Sequence, residues 1–228
     1  MNLNILMVLT SHDKMGDTDT KTGFWVEEFA APYYAFVDAG VKVTLASPAG
    51  GQAPIDPTST LADFQTDATK RFDNDGVAQD KVANTQPLAE INSADFDAVF
   101  FPGGHGPLWD LVNSTDSIAL IENLLAQEKA VATVCHSTAV LLNVKTASGE
   151  YVVKNKVVTG FTNSEEDAVG LTNIVPFLLE DELKNRGADY QNAQDWHAFA
   201  VQDGLIISGQ NPASSELAAQ KLLTHLNK

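Results

Sequence analysis

Cys135 is the only cysteine in the 228-residue chain. It stands where an apolar run, Val131-Ala132-Thr133-Val134, gives way to a helix-like segment starting at Thr138. A sharp strand-to-helix turn lifts such a sulfur out of a sheet and aims it near a helix N-terminus, whose unsatisfied N–H groups favour a thiolate. A free cysteine is otherwise a small buried hydrophobe. Its position at a strand end, directly before His136, favours a nucleophile instead. His136 is then the adjacent base, and a base needs a carboxylate on its other ring nitrogen. Glu165 and Glu166, after the apolar run Val157–Phe161, both qualify, and the residues alone leave the choice open. Two acids at a helix start also suit the helix dipole. Glu28, set among Phe24, Trp25, Phe29 and Tyr33, could shuttle protons if burial raised its pKa. The glycine turn Gly103-Gly104-His105-Gly106 could offer backbone N–H groups to a substrate oxygen. His105 there either meets substrate or ties the loop. His12, His197 and His225 have no metal-ligand spacing, so no metal site is expected. There is neither a dinucleotide fingerprint nor a P-loop, so no cofactor is expected either.

These groups must be brought together by the elements around them. Asn4–Thr10, Val41–Pro48 and Phe96–Pro102 are near-continuous apolar runs, the pattern of strands buried on both faces. Phe29, Tyr33, Phe36 and Val37 recur at helical spacing and stop at Gly40. Pro32 is expected in the first turn of that helix, which puts Glu27 and Glu28 at or just before its start. Ile118, Ile121, Leu124 and Leu125 mark a helix within Ser117–Lys129, and a further helix is expected over Pro176–Arg186. Tyr151–Val153 and Lys156–Phe161 are expected strands. Asp203-Gly204 between two apolar runs is a hairpin signal, and Asn211-Pro212 opens a last helix. The sum is a doubly wound α/β fold: a mostly parallel sheet sandwiched by helices, with one domain over residues 1–228. Residues 49–94 are polar, acid-rich and punctuated by Pro54, Pro57 and Pro87. They are too long for a bare loop and are expected to form a small cap insertion of short helices.

The formal charge is −16, from 14 basic and 30 acidic side chains, which argues against nucleic acid and anionic membrane surfaces as partners. No stretch approaches transmembrane length, and the apolar N-terminus lacks a basic region before it. A lone cysteine requires no oxidising compartment. A cytoplasmic protein is expected.

Six blocks in order carry a resemblance: Thr22-Gly23-Phe24-Trp25-Val26-Glu27-Glu28, Pro102-Gly103-Gly104-His105-Gly106, Ala132-Thr133-Val134-Cys135-His136, Thr159 through Glu166, Pro176 through Glu180, and Asn211-Pro212-Ala213-Ser214-Ser215. The chain resembles the ThiJ/PfpI superfamily, with its flavodoxin-like, class I glutamine amidotransferase-like fold. Within it, the likeness is to the branch of glutathione-independent glyoxalases (glyoxalase III) and heat-inducible chaperones. The resemblance implies a Cys135–His136–Glu166 triad, Glu28 as the proton-shuttling carboxyl, and Gly103, Gly104 and the His136 amide around the substrate oxygen. It implies conversion of a small 2-oxoaldehyde, methylglyoxal, to lactate by a lyase of the D-lactate dehydratase type, without cofactor, in a homodimer. Ser137 stands where the family usually has glycine, and its hydroxyl could narrow the pocket or add a hydrogen bond. The same thiol would also serve a hydrolase (deglycase, amidase or peptidase), and a holdase chaperone is the reading from another class. A synthetase-coupled glutaminase would need a His-x-Glu pair further along, which Asp195-Trp196-His197 does not supply.

Overall fold

A computed structural model describes residues 3–227. The central sheet is built from β1 (Asn4–Val8), β2 (Lys42–Ser47), β3 (Gln86–Pro87), β4 (Ala98–Phe101), β5 (Ala130–Val134), β8 (Ala200–Asp203) and β9 (Ile206–Gly209), in the order β3-β2-β1-β4-β5-β9-β8. All neighbours are parallel except β8 and β9, which form the hairpin signalled by Asp203-Gly204. β4 and β5 are buried along their whole lengths, as strands covered on both faces must be. A second, two-stranded parallel sheet pairs β6 (Val157–Val158) with β7 (Asp189–Tyr190).

The flanking helices are α1 (Val26–Asp38), α2 (Asp67–Asp73), α3 (Gly76–Ala83), α4 (Thr115–Ala126), α5 (Asn163–Ala168), α6 (Leu179–Asn185) and α7 (Ser215–Leu226). α1 packs on α7, which lies along β5 and β9. The chain winds from β1 to β2 in one direction and from β4 to β5 in the other. The switch between β1 and β4 opens a crevice at their carboxyl ends, where α/β sheets place ligands.

Several expectations are corrected. Pro32 lies in the middle of α1, not in its first turn. The helix start is fixed by tertiary contacts: the Phe24 amide donates to the Pro54 carbonyl at 2.9 Å and the Trp25 amide to the Gly103 carbonyl at 3.1 Å. Those bonds outweigh the helix hydrogen bond that a proline forfeits. Tyr151–Val153 is not a strand. Tyr151 makes one isolated bridge to Lys145, and Val152 and Val153 are buried in a turn. Of Lys156–Phe161 only Val157–Val158 is a strand, and it lies outside the main sheet. The segment from 49 to 94 carries α2, α3 and three 3-10 turns, with a fourth, Ser93–Asp95, crossing its end, and it also lends β3 to the sheet edge beside β2.

Candidate active site

β5 ends at Val134, and Cys135 follows with φ of 59°, in the left-handed region that residues with a Cβ avoid. A single 3-10 stretch, Cys135–Leu141, continues from it in place of the expected α-helix. The turn is held from beneath. Ser137 Oγ accepts from the Val134 amide at 3.0 Å and gives its one proton to the carbonyl of Phe101 (2.5 Å) or Val134 (2.7 Å). The Thr133 and Thr138 hydroxyls meet at 2.9 Å. Ser137 therefore adds a hydrogen bond at the strand ends, and it does not line the cavity.

Cys135 Sγ lies 3.2 Å from His136 Nδ1, and His136 Nε2 lies 2.6 Å from Glu166 Oε2. The neighbouring carboxylate, Glu165, points elsewhere. It closes the capping box of α5 with Thr162 and accepts from the Trp196 amide (2.9 Å), Gln210 Nε2 (3.1 Å) and Asn211 Nδ2 (2.7 Å). The choice that residue types left open is thus made by geometry: one glutamate caps, the next faces the imidazole. His105 reaches the free oxygen of the same carboxylate, with Nε2 2.8 Å from Glu166 Oε1, and its ring lies 4.0 Å from that of His136.

Glu28 occupies the first turn of α1 and is fully buried. Burial pushes its carboxyl up to about 8, although the Cys135 thiol and the Gly103 amide lean on it and draw it partly back. Neither contact meets strict hydrogen-bond geometry, so both carboxyl oxygens remain without a full partner. Gly103 has no room for a side chain. A Cβ there would stand 2.4 Å from Glu28 Oε2 and 2.5 Å from the Val134 carbonyl. Gly104, with φ of 94°, packs against the backbone of Gly23 and Trp25 in the same way. The glycine turn thus locks the end of β4 onto the start of α1, which brings the Glu28 carboxyl to the sulfur.

The electrostatics set protonation states. Burial and the Glu28 carboxyl push the Cys135 thiol well above its usual range, against a smaller pull from the His136 amide. The thiol is therefore neutral at rest, contrary to the thiolate expected from a helix N-terminus. Burial, with His105 adding to it, lowers the His136 pKa despite Glu166. Burial would raise Glu166, but the two histidines outweigh it and hold its carboxyl far below the carboxylate range. Glu166 is thus a charged acceptor, and a neutral His136 donates Nε2–H to it while Nδ1 is free to accept from sulfur. The donor atoms of His105, His136 and Glu166 lie within 4.8 Å of one another, the one group among the described residues with metal-ligand chemistry. In this arrangement both Nε2 atoms are engaged by the carboxylate.

These side chains close one end of a cavity of about 530 Å³. Glu28, Gly104, His105, Cys135 and His136 line it. Asp56, Thr58 and Phe64, from the 49–94 segment, line it as well. Residue types and spacing gave no notice of Asp56, Phe161, Trp196 or Asn211 at this site. The Thr162-x-x-Glu165 capping signature was the available signal for which glutamate is structural.

The family model for the DJ-1/PfpI family matches residues 20–225. The glutathione-independent glyoxalase HSP31 of Saccharomyces cerevisiae is 30% identical, over 97% of each chain. The crystal structure of glyoxalase III from Candida albicans superposes with a TM-score of 0.90 at 30% identity, covering 97% of this chain and 96% of that one. The 24-kDa Rapid Encystment Protein of Francisella tularensis is similar at TM-score 0.94 and 38% identity, covering 98% and 99%.

Proposed function

The chain belongs to the DJ-1/PfpI family, and on that footing we propose that it is a glutathione-independent glyoxalase, converting 2-oxoaldehydes such as methylglyoxal to 2-hydroxy acids through Cys135. The observation that carries this reading is the fully buried Glu28 carboxyl, with a pKa of about 8, facing a thiol whose proton His136 can take at 3.2 Å. A group with that pKa both gives and takes protons near neutrality, which an isomerising reaction needs. Full-length similarity to a protein named glutathione-independent glyoxalase and to one named glyoxalase III supports it.

The reaction follows from these groups. His136 takes the thiol proton as sulfur bonds to the aldehyde carbon, and Glu28 protonates the aldehyde oxygen, giving a hemithioacetal. The Glu28 carboxylate then removes the hydrogen on that carbon as a proton. The electron pair forms a carbon–carbon double bond, and the former ketone oxygen takes the proton held on His136. Glu28 returns its proton to the former ketone carbon while the first carbon's hydroxyl proton passes to His136, leaving a thioester. Water attacks the thioester and gives a proton to Glu28, and the thiolate leaves with the proton from His136. Glu166 holds the imidazolium formed on the way. The aldehyde carbon is oxidised, the ketone carbon reduced, and no external redox partner is consumed.

Replacing Cys135 by Ala should abolish lactate formation from methylglyoxal, measured by coupled lactate assay. Turnover that survives in this variant refutes the role given to the thiol. We further propose a cytoplasmic homodimer, with residues 49–94 acting as a cap over the site. Light scattering on the purified chain tests the dimer. The cap is supported by Asp56, Thr58 and Phe64 in the cavity wall.

A further inference from the structure

The size and wall chemistry of the cavity carry an inference about substrate class, one that rests on the glyoxalase reading and deepens it. The cavity of about 530 Å³ is in the range of sites that take drug-sized ligands, roughly 300–1,000 Å³. A three-carbon 2-oxoaldehyde fills on the order of 100 Å³, at ~30 Å³ per water-sized group. Most of the space therefore lies beyond the atoms that react.

That space is walled by aromatic rings. Trp25 and Phe64 meet edge to face with centroids 5.0 Å apart, and Phe161 and Trp196 do so at 5.8 Å. Phe64, Val169 and Trp196 are 42%, 44% and 48% exposed, three of the seven large hydrophobic side chains exposed among the described residues. Single exposed hydrophobics are ordinary. Three lining one cavity continuous with a buried thiol are a binding surface.

Charge narrows the ligand further. Lys21 is the one Lys or Arg lining the cavity among the described residues, and it is mostly exposed and paired with Asp13 at 2.5 Å. Asp56 lines the same space, as does Glu28, whose carboxyl burial holds neutral. A phosphate or carboxylate on the substrate's tail would leave water for walls that hold no free cation to meet it.

We propose that the preferred substrates are 2-oxoaldehydes whose ketone carries an aryl or similarly bulky, uncharged apolar group, seated against Trp25, Phe64, Phe161 and Trp196. The bond changes are those already given. For phenylglyoxal, sulfur adds to the aldehyde carbon, that carbon's hydrogen moves as a proton to the ketone carbon, and water releases mandelate and the thiol.

The test compares kcat/KM for methylglyoxal, phenylglyoxal and cyclohexylglyoxal in the full chain and in Cys135→Ala, with the hydroxy acids separated by chromatography. Both bulky substrates should exceed methylglyoxal by about tenfold or more, mainly through KM. Cyclohexylglyoxal separates apolar bulk from ring conjugation. Phe64→Ala and Trp196→Ala should each bring the ratio of bulky to small substrate towards one. Cys135-dependent turnover of methylglyoxal, with bulky substrates no better, overturns the inference and leaves the glyoxalase reading standing. A ratio unmoved by both wall variants also overturns it. No Cys135-dependent turnover of any of the three overturns the glyoxalase reading itself.

Discussion

Replacing Glu28 by Gln should raise the stability relative to the native chain progressively as pH rises. The carboxyl has an ordinary value of 4.5 and is pushed to about 8 by burial. A carboxyl whose pKa is raised on folding ionises first in the unfolded chain. Folding is therefore unaffected by this group below about pH 4.5 and loses stability as pH climbs, until the folded-state carboxyl ionises near pH 8. Within that window each pH unit is worth ~1.4 kcal/mol. The native glutamate thus costs about 3 kcal/mol at pH 7 and about 5 kcal/mol above pH 8, by the same linkage. Glutamine is neutral throughout, so this slope disappears in the variant. An amide in place of the acid shifts the absolute stability, but by an amount that does not vary with pH. Urea unfolding of both proteins at pH 5, 6, 7, 8 and 9 gives the difference curve. It should rise by roughly 1 kcal/mol per unit and flatten above pH 8. Parallel stability curves would refute the argument that Glu28 is held neutral by burial. The same variant should lose turnover, because it lacks the group proposed to move protons between the two substrate carbons.

Two further outcomes follow from the hydrogen-bond pattern. Glu166→Gln removes the charge on which His136 and His105 converge, and kcat should fall by roughly 10²–10⁴-fold. Initial rates with methylglyoxal check this, and an unchanged kcat removes Glu166 from the catalytic unit. Glu165→Ala strips the acceptor from Trp196, Gln210, Asn211 and Thr162. Each buried donor left unpaired costs about 1–3 kcal/mol, so urea unfolding should reveal a loss of about 3 kcal/mol or more, whatever the rate does.

The parts of this molecule legible in its sequence are those fixed by local chemistry. Buried strands announce themselves as apolar runs, so β1, β2, β4 and β5 coincide with such runs to within a residue or two at their ends. Cys135 is legible because a lone thiol at a strand end breaks the apolar pattern abruptly. Pro32 does not sit where local propensity puts it, because the start of α1 is decided by Phe24 and Trp25 bonding to Pro54 and Gly103, residues remote in the chain. Tyr151–Val153 has strand-like composition, but its two valines are buried in a turn, an outcome that packing decides. Glu165 and Glu166 are chemically identical neighbours. Residue type cannot tell them apart; the family motif points to the second, and the Thr162 capping box takes up the first. Trp196 gave no signal, because its place in the cavity wall depends on a hydrogen bond to Glu165 across the fold. The neutral thiol is likewise a property of assembled neighbours, since Glu28 and Cys135 are 107 positions apart in the sequence.

Cys135 is held at φ of 59° although it carries a Cβ, a conformation that costs about 1–2 kcal/mol outside glycine. Together with the buried Glu28, this means that residues assigned to chemistry also work against folding. A library of variants ranked only by melting temperature or by yield of folded protein will therefore rise towards glycine at 135 and neutral side chains at 28. Its winners will be well-behaved, crystallisable and inert. Directed improvement of this chain has to select on turnover in every round, with stabilising changes sought in elements away from the turn after β5.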